Sequence, residues 1–221
     1  MIRRLHSRRI VCPDGIRDGF VYTDGGRIAA VTGDMLPCDE ERELGEQLLC
    51  PGLIDLHVHR AAGFDFGSSD ARGIAAAAEY HLHHGTTALL PTLTSSTPEA
   101  LCRALEALRE CRESCLTRAQ LLGAHLEGPY FSPAQCGAQD PVLITAPIPA
   151  DYERILQRYG DQIARWSYAP ERDAGEAFCR TLRHPALRRA HRCHGGRHGA
   201  GLCRRLPPGD TSVFLHLHRH P

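Results

Sequence analysis

The chain has 221 residues, and its 26 basic residues, all arginine, balance 26 acidic residues. With 42% hydrophobic and 24% charged residues the composition excludes an intrinsically disordered chain, and the zero net charge argues against a protein that binds polyanions. The balance conceals two unlike segments. Residues 1–183 carry 19 arginines and 25 acids, whereas residues 184–221 carry seven arginines and one acid, Asp210.

The ten cysteines are dispersed along the chain, and Met1 to Arg4 lead into no apolar stretch of the kind found in a secretory signal. Disulfide frameworks are typical of short secreted chains, so we expect reduced and mostly buried thiols. No run approaches the about 20 consecutive apolar residues of a membrane helix. The sequence therefore predicts a cytoplasmic protein that binds neither membranes nor nucleic acids.

Three short β-strand patterns occupy residues 1–50. The turn sequences Pro13-Asp14-Gly15 and Asp24-Gly25-Gly26 separate them. Asp-Gly and Gly-Gly between apolar runs are strong hairpin signals, because glycine adopts positive φ at little cost. We predict a small antiparallel sheet in this segment.

From residue 51 short apolar runs alternate with amphipathic segments. The predicted strands cover 53–58, 87–92, 121–126 and 163–169, and the predicted helices cover 70–84, 98–115, 151–159 and 173–183. This alternation implies an α/β fold with parallel strands and right-handed crossovers, either a barrel or a doubly wound sheet. After about residue 183 the periodicity is lost, and we predict that residues 184–221 form an aberrant, disordered basic tail.

The end of the first parallel strand carries two histidines that suit a metal ion. His57 and His59 alternate with Leu56 and Val58, so both imidazoles project to the same face of the strand. Neutral imidazole is a common ligand of zinc and similar ions. The alternative is a pair of structural histidines inside a barrel.

The third parallel strand ends in a carboxylate. Glu127 lies between Leu126 and Gly128, at the carboxyl end of the strand, which is the active-site face of an α/β barrel. A metal ligand explains this position better than a salt-bridged surface acid. His125 shares the strand parity of Glu127 and is a candidate to support the ligands.

Three segments resemble successive signatures of the N-acetylglucosamine-6-phosphate deacetylase family of the amidohydrolase superfamily. They are PGLIDLHVHRAAGFDF, HHGTTALLPTLTSS and GAHLEGPYFSPAQCGAQDP, and the resemblance runs from about residue 8 to about residue 183. It implies a TIM-type (β/α)8 barrel with a small β-sandwich. In this chain the barrel would be incomplete: its first half would occupy residues 51–183, and residues 1–50 would form the N-terminal part of the sandwich.

The resemblance also implies an activity. The family hydrolyses the acetamide of N-acetylglucosamine 6-phosphate, an amino-sugar phosphate, with one or two divalent metal ions such as zinc or iron, and the intact enzyme is expected to be a homodimer. The family's ligand of the catalytic metal maps onto Glu127, and the histidines that bind a second metal in some members map onto His57 and His59, so the sequence resembles the two-metal type. Gln139 lies on the loop that approaches the substrate in the family. An amidohydrolase of cyclic amides or N-acyl amino acids is the alternative.

The family's two remaining metal ligands lie in Gly-His-(Ser/Thr)-Asp-Ala and Thr-His-Leu-(Phe/Tyr) motifs, and its acid/base Asp follows the last barrel strand. This sequence contains none of these, so no catalytic residue is assigned to it and we expect a fragment with negligible activity. A frame shifted by one base can encode both motifs from Arg189 onward. We therefore hypothesise a frameshift between about Arg183 and Arg188, which sequencing of the gene would test.

The alternative is that the tail is a genuine protein segment. It could form a zinc knot from His191, Cys193, His194, His198 and Cys203, although only His194 and His198 have a spacing typical of such sites. A basic arm for nucleic acid is disfavoured, because seven arginines without interleaved aromatic residues provide charge but no reading surface.

Overall fold

A computed structural model of the protein describes residues 1–173, 177–183 and 215–217. They belong to two compact units, which divide between Ile54 and Asp55. Among the described residues, no helix has the length and apolar character needed to cross a bilayer. The predicted zinc knot, the frameshift region and the predicted disorder of the tail lie outside the described residues, apart from the short strand Leu215–Leu217.

The first unit is built on a six-stranded sheet. Its strands are β1 (Ile2–Cys12), β2 (Gly15–Asp24), β3 (Arg27–Thr32), β4 (Glu40–Glu43), β5 (Leu48–Pro51) and Leu215–Leu217. The pairs β1–β2 and β2–β3 are antiparallel, which confirms the predicted hairpins. A small core of Ile10, Val21, Leu44 and Leu49 lies in this unit.

The expectation of a purely antiparallel sheet is wrong. Strands β4 and β5 both pair with β1 in parallel. The connection after β3 crosses back to the free side of β1, so that the next strands run in the direction of β1. The sheet of the first unit is therefore mixed.

The second unit alternates strands and helices as predicted. Its strands are β6 (Leu53–Val58, whose first two residues precede the division), β7 (Arg60–Ala61), β8 (Phe64–Asp65), β9 (Thr86–Leu93), β10 (Gln120–Leu121), β11 (Ala124–Glu127) and β12 (Ile163–Ser167). Its α-helices are α1 (Ala71–His83), α2 (Pro98–Glu113), α3 (Pro149–Tyr159) and α4 (Ala177–Arg183). Single turns of 3₁₀ helix cover Pro133–Gln135, Pro141–Leu143 and Pro170–Arg172.

The strands of this sheet follow one another in chain order. Strand β6 pairs with β9, which pairs in parallel with β10 and β11, and β11 pairs in parallel with β12. A doubly wound sheet reverses its strand order at a switch point, whereas a barrel adds each strand beside the previous one. The described strands therefore form part of a TIM-type barrel.

Helices α1 and α2 begin at capping residues and bury one face in the core. The Asp70 carboxylate accepts from Gly73 N at 2.8 Å at the start of α1, and Thr97 Oγ1 accepts from Ala100 N at 3.2 Å at the start of α2. The main core combines strand and helix side chains that are at most 1% exposed, such as Leu89, Leu93, Leu105, Leu126 and Ile155. This packing fixes the carboxyl ends of the strands, where the candidate site lies.

Several predicted element boundaries are wrong by a few residues; the strand predicted over 163–169, for example, ends at Ser167. The predicted strand 121–126 is interrupted after Leu121, because Gly123 has φ +131° and a Cβ there would lie 2.6 Å from Gln162 O. Of the helix predicted over 173–183, the described part covers Ala177–Arg183, and Asp173 lies at the end of the preceding 3₁₀ turn. The Asp173 carboxylate accepts from Phe178 N at 3.0 Å and from Cys179 N at 2.9 Å.

The prediction of mostly buried cysteines is also wrong. All eight described cysteines are free thiols, but Cys111 alone of these eight is buried, and Cys115 is exposed. The other six are partly exposed, and two of them, Cys38 and Cys136, lie in loops. Cys102, for example, is partly exposed beside the buried Leu101 of α2.

Candidate metal centre

His57 and His59 bring two ring nitrogens together at the carboxyl end of β6. Their Nε2 atoms lie 3.1 Å apart, as expected for residues on the same face of a strand. His59 Nδ1 lies 3.1 Å from Thr92 O. Because a carbonyl only accepts, Nδ1 carries the proton, and His59 Nε2 keeps a lone pair directed at the cluster.

Glu127, the last residue of β11, completes the cluster. Its Oε1 lies 3.6 Å from His57 Nε2 and its Oε2 lies 3.4 Å from His59 Nε2. Donor atoms of the three residues all lie within 4.8 Å of one another. Within residues 1–173, 177–183 and 215–217, this is the one group of three or more His, Cys, Asp or Glu side chains close enough to share an ion.

The chemistry of this donor set fits a divalent cation. Two imidazole nitrogens 3.1 Å apart and a carboxylate just beyond hydrogen-bond distance concentrate negative potential at one point. A proton or a cation shared by these atoms relieves the repulsion between their lone pairs. The side chains are 45%, 29% and 21% exposed for His57, His59 and Glu127, so an ion can reach them from solvent.

The chain after Glu127 requires a glycine. Gly128 has φ +91°, and a Cβ at this position would collide with Ser95 Oγ. Gly128 N donates to Ser167 O at 3.1 Å, and Gly128 O accepts from Trp166 Nε1 at 2.9 Å. The loop after β9 and strand β12 thus hold the end of β11 from both sides.

His125 lies beside the cluster and supports it. Its side chain is 1% exposed, with Nε2 2.8 Å from Ser167 Oγ and Nδ1 3.3 Å from Thr92 Oγ1. Burial is the main cause that lowers the pKa of His125 to about 4, and the positive charge of Arg165 adds to it. Its neutral ring packs edge-on against His57 at a centroid distance of 5.2 Å.

Three polar residues of this region were not predicted from the sequence. Thr92 Oγ1 accepts from Val58 N at 3.1 Å and so ties β9 to the histidine strand. Ser95 Oγ donates to Glu127 O at 3.3 Å, and Ser167 bonds to His125. Their position in the sequence could have identified them, because all three lie at or just after the carboxyl end of a predicted parallel strand.

Gln139 is brought into contact with Glu127. Gln139 Nε2 donates to Glu127 Oε2 at 3.0 Å, and Gln139 Oε1 accepts from Ser95 N at 2.8 Å. Both residues line a cleft of about 510 Å³. Its walls also include His59, Arg60, Thr94, Phe131, Gln135 and Cys136.

A model of the amidohydrolase family matches residues 48–212, which include all four predicted site residues. The chain belongs to the amidohydrolase family. The match extends beyond residue 183, where we placed the frameshift, and that hypothesis stays a prediction. The incomplete TIM-type barrel expected from the sequence agrees with the family match and with the strand order.

The individual relatives that this amidohydrolase chain matches include deacetylases of amino-sugar phosphates. The N-acetylglucosamine-6-phosphate deacetylase of Bacillus subtilis is 29% identical over 178 residues, which are 78% of this chain and 45% of the relative. The N-acetylgalactosamine-6-phosphate deacetylase of Escherichia coli O157:H7 is 28% identical over 189 residues, 85% of this chain and 49% of the relative.

The chain also resembles a solved structure of such a deacetylase. The crystal structure of N-acetyl-D-glucosamine-6-phosphate deacetylase from Mycobacterium smegmatis matches with a TM-score of 0.70 at 30% identity, covering 81% of this chain and 51% of that one. The predicted resemblance to this group of amidohydrolases is therefore confirmed. The chain spans about half the length of the relatives it matches.

Proposed function

We propose that this chain carries the metal-binding part of a deacetylase that hydrolyses the acetamide of an N-acetylated amino-sugar 6-phosphate. The observation that carries the proposal is the convergence of His57, His59 and Glu127 at the carboxyl ends of β6 and β11, the two barrel strands that pair with β9. In α/β barrels this face holds the active site. The relatives described above are named for the 6-phosphates of N-acetylglucosamine and N-acetylgalactosamine, which supports this substrate class.

His57, His59 and Glu127 would hold the ion through two imidazole nitrogens and one carboxylate. This mixed set suits zinc or iron(II) better than magnesium or calcium, which prefer oxygen ligands. A bound ion of this kind supplies polarisation of the amide carbonyl and acidification of a water molecule. The described donors form a single cluster, so we expect one ion per chain.

The remaining residues of the site orient the ligands. Thr92 O fixes the tautomer of His59, and the buried, neutral His125 packs against His57 without adding positive charge near the ion. No catalytic acid/base is assigned to this chain, and negligible turnover stays our prediction for it. The homodimer and the cytoplasmic location also stay predictions.

Calorimetric titration of the metal-free chain with zinc chloride tests the centre. We expect saturable binding of one ion, which the double substitution His57→Ala and His59→Ala abolishes. Substitution of His83 by Ala, at the end of α1 and outside the cluster, is the matched control and leaves binding unchanged. Absence of saturable zinc binding by the unaltered chain would overturn the proposed function.

Ligand-observed NMR tests the substrate class without requiring turnover. The zinc-loaded chain is mixed with N-acetylglucosamine 6-phosphate, and the signal of the acetyl methyl group is followed. We expect zinc-dependent broadening that is weaker for unphosphorylated N-acetylglucosamine. Equal effects with both sugars, or none with either, would contradict an amino-sugar phosphate substrate.

A further inference from the structure

Gln139 connects two loops at the metal centre through the two ends of one amide group. Ser95 N lies 2.8 Å from Gln139 Oε1, and Gln139 Nε2 lies 3.0 Å from Glu127 Oε2. A backbone N–H can only donate and a carboxylate can only accept. The carbonyl end must therefore face Ser95, and the NH₂ end must face Glu127.

Ser95 also holds the main chain of Glu127. Ser95 Oγ donates to Glu127 O at 3.3 Å, and the side chain of Ser95 fills the space that a Cβ on Gly128 would need. Ser95, Gln139 and Glu127 thus form a closed ring of three hydrogen bonds. Ser95 is buried, and the other two residues of this ring are partly exposed at the wall of the cleft.

We propose that Gln139 is a positioning residue for the metal ligand Glu127. The Gln139 side-chain N–H occupies one acceptor site of Glu127 Oε2 and thereby restricts rotation of the carboxylate. Glu127 Oε1 makes no bond to Gln139 and lies on the side of His57. The inference rests on the proposed function, since it assumes that Glu127 binds a metal ion. It gives Gln139 a role distinct from the substrate contact predicted from the sequence.

Glutamine is the residue type that this geometry requires. Glutamate at position 139 would provide no donor and would add a negative charge next to Glu127. Asparagine is one methylene shorter and cannot reach both partners from the same backbone position. Methionine has a similar length but neither donates nor accepts a normal hydrogen bond, so Gln139→Met removes both contacts with little change in volume.

Titration of the full chain with cobalt(II) alone measures the effect of Gln139→Met. We expect the affinity to fall by about 10-fold to 100-fold, the range typical for loss of a hydrogen bond to a metal ligand. The visible spectrum of bound cobalt should change as well, because the ligand field depends on the orientation of the carboxylate. Gln135→Met is the matched control, since Gln135 lines the same cleft and makes no side-chain hydrogen bond in the described structure.

A second readout does not depend on metal. Hydrogen exchange of the Ser95 amide in the metal-free chain should accelerate in Gln139→Met and stay unchanged in Gln135→Met. The free energy of unfolding is measured alongside, because a merely structural role would lower stability without a selective loss of cobalt affinity. If Gln139→Met does not fold, Gln139→Asn provides the same comparison.

The outcomes separate this inference from the proposed function. If the unaltered chain binds no cobalt, the metal centre itself is wrong and the inference fails with it. If the unaltered chain binds cobalt and Gln139→Met binds it equally well with the same spectrum, the positioning role alone is overturned.

Discussion

The two units of the molecule each bring histidine and carboxylate side chains together, but in different ways. In the first unit His6 lies between two acids, with Nδ1 2.5 Å from Glu43 Oε2 and Nε2 3.0 Å from Asp18 Oδ1. In the second unit His57 and His59 face each other, and Glu127 lies 3.4 to 3.6 Å from their Nε2 atoms.

The difference lies in what each ring nitrogen contacts. Both nitrogens of His6 have a carboxylate partner at hydrogen-bond distance, so the protonated ring is favoured, and the bonds to Glu43 and Asp18 raise the pKa of His6. One nitrogen of His59 donates to a carbonyl, and the other faces His57 Nε2 and Glu127 with its lone pair. The first arrangement is an ion pair that cross-links strands, and the second is the proposed ligand set.

Substitution of the two glutamates gives the largest expected contrast. Glu127→Gln preserves the shape of the side chain and its contact with Gln139, but it removes the negative charge from the ligand set. We expect zinc affinity to fall by more than about 100-fold, because loss of a hydrogen bond to a metal ligand alone lowers the affinity by up to about that factor. Calorimetric titration of the metal-free variant measures this loss.

Glu43→Gln is the matched control in the first unit. It makes the same chemical change at a carboxylate that also contacts histidine, and zinc affinity should stay at the value of the unaltered chain. Equal losses in both variants would show that zinc binding reports general charge and not the cluster at the barrel strands.

A smaller effect, on the free energy of unfolding, is expected from substitution of the buried Thr92, which bonds to Val58 N and His125. Thr92→Val removes the hydroxyl that accepts from Val58 N, and leaves His125 Nδ1 without this partner. An unsatisfied buried polar group costs about 1–3 kcal/mol, so we expect a decrease of this size in the free energy of unfolding. Urea denaturation measures it, and Thr94→Val, at an exposed position of the same segment, should leave stability unchanged.

Local patterns predicted the residues that cluster at this site, because their placement follows strand periodicity. The alternation that places His57 and His59 on one face depends only on their spacing, and Glu127 follows from its place at a strand end. The same reasoning identified three strands of the second unit almost to the residue, since their apolar runs are bounded by polar segments. The hydrophobic pattern is thus sufficient where neighbours along the chain decide the structure.

Contacts between distant segments could not be predicted in this way. The parallel pairing of β4 and β5 with β1 depends on the path of the chain after β3. The hydrophobic periodicity of the sequence does not predict this path. The ring of Ser95, Gln139 and Glu127 joins residues 44 positions apart in the sequence. Its members carry ordinary polar side chains, and only the packing of the strand ends brings them into contact.

The pH dependence of the first unit provides the smallest and most selective test. Because the pKa of His6 is raised above its ordinary value of 6.5, its ion pairs stabilise the folded chain fully below that pH, and the stabilisation is lost as pH rises through the higher folded value. The side chain is 26% exposed and its partners more so, which limits the effect to about 1 kcal/mol. Urea denaturation between about pH 6 and pH 9 should show this loss in the unaltered chain and not in His6→Gln. A decrease of the same size in the free energy of unfolding of His6→Gln would assign the pH dependence to other groups. The contrast between the ion-paired His6 and the proposed ligand cluster would then depend on metal affinity alone.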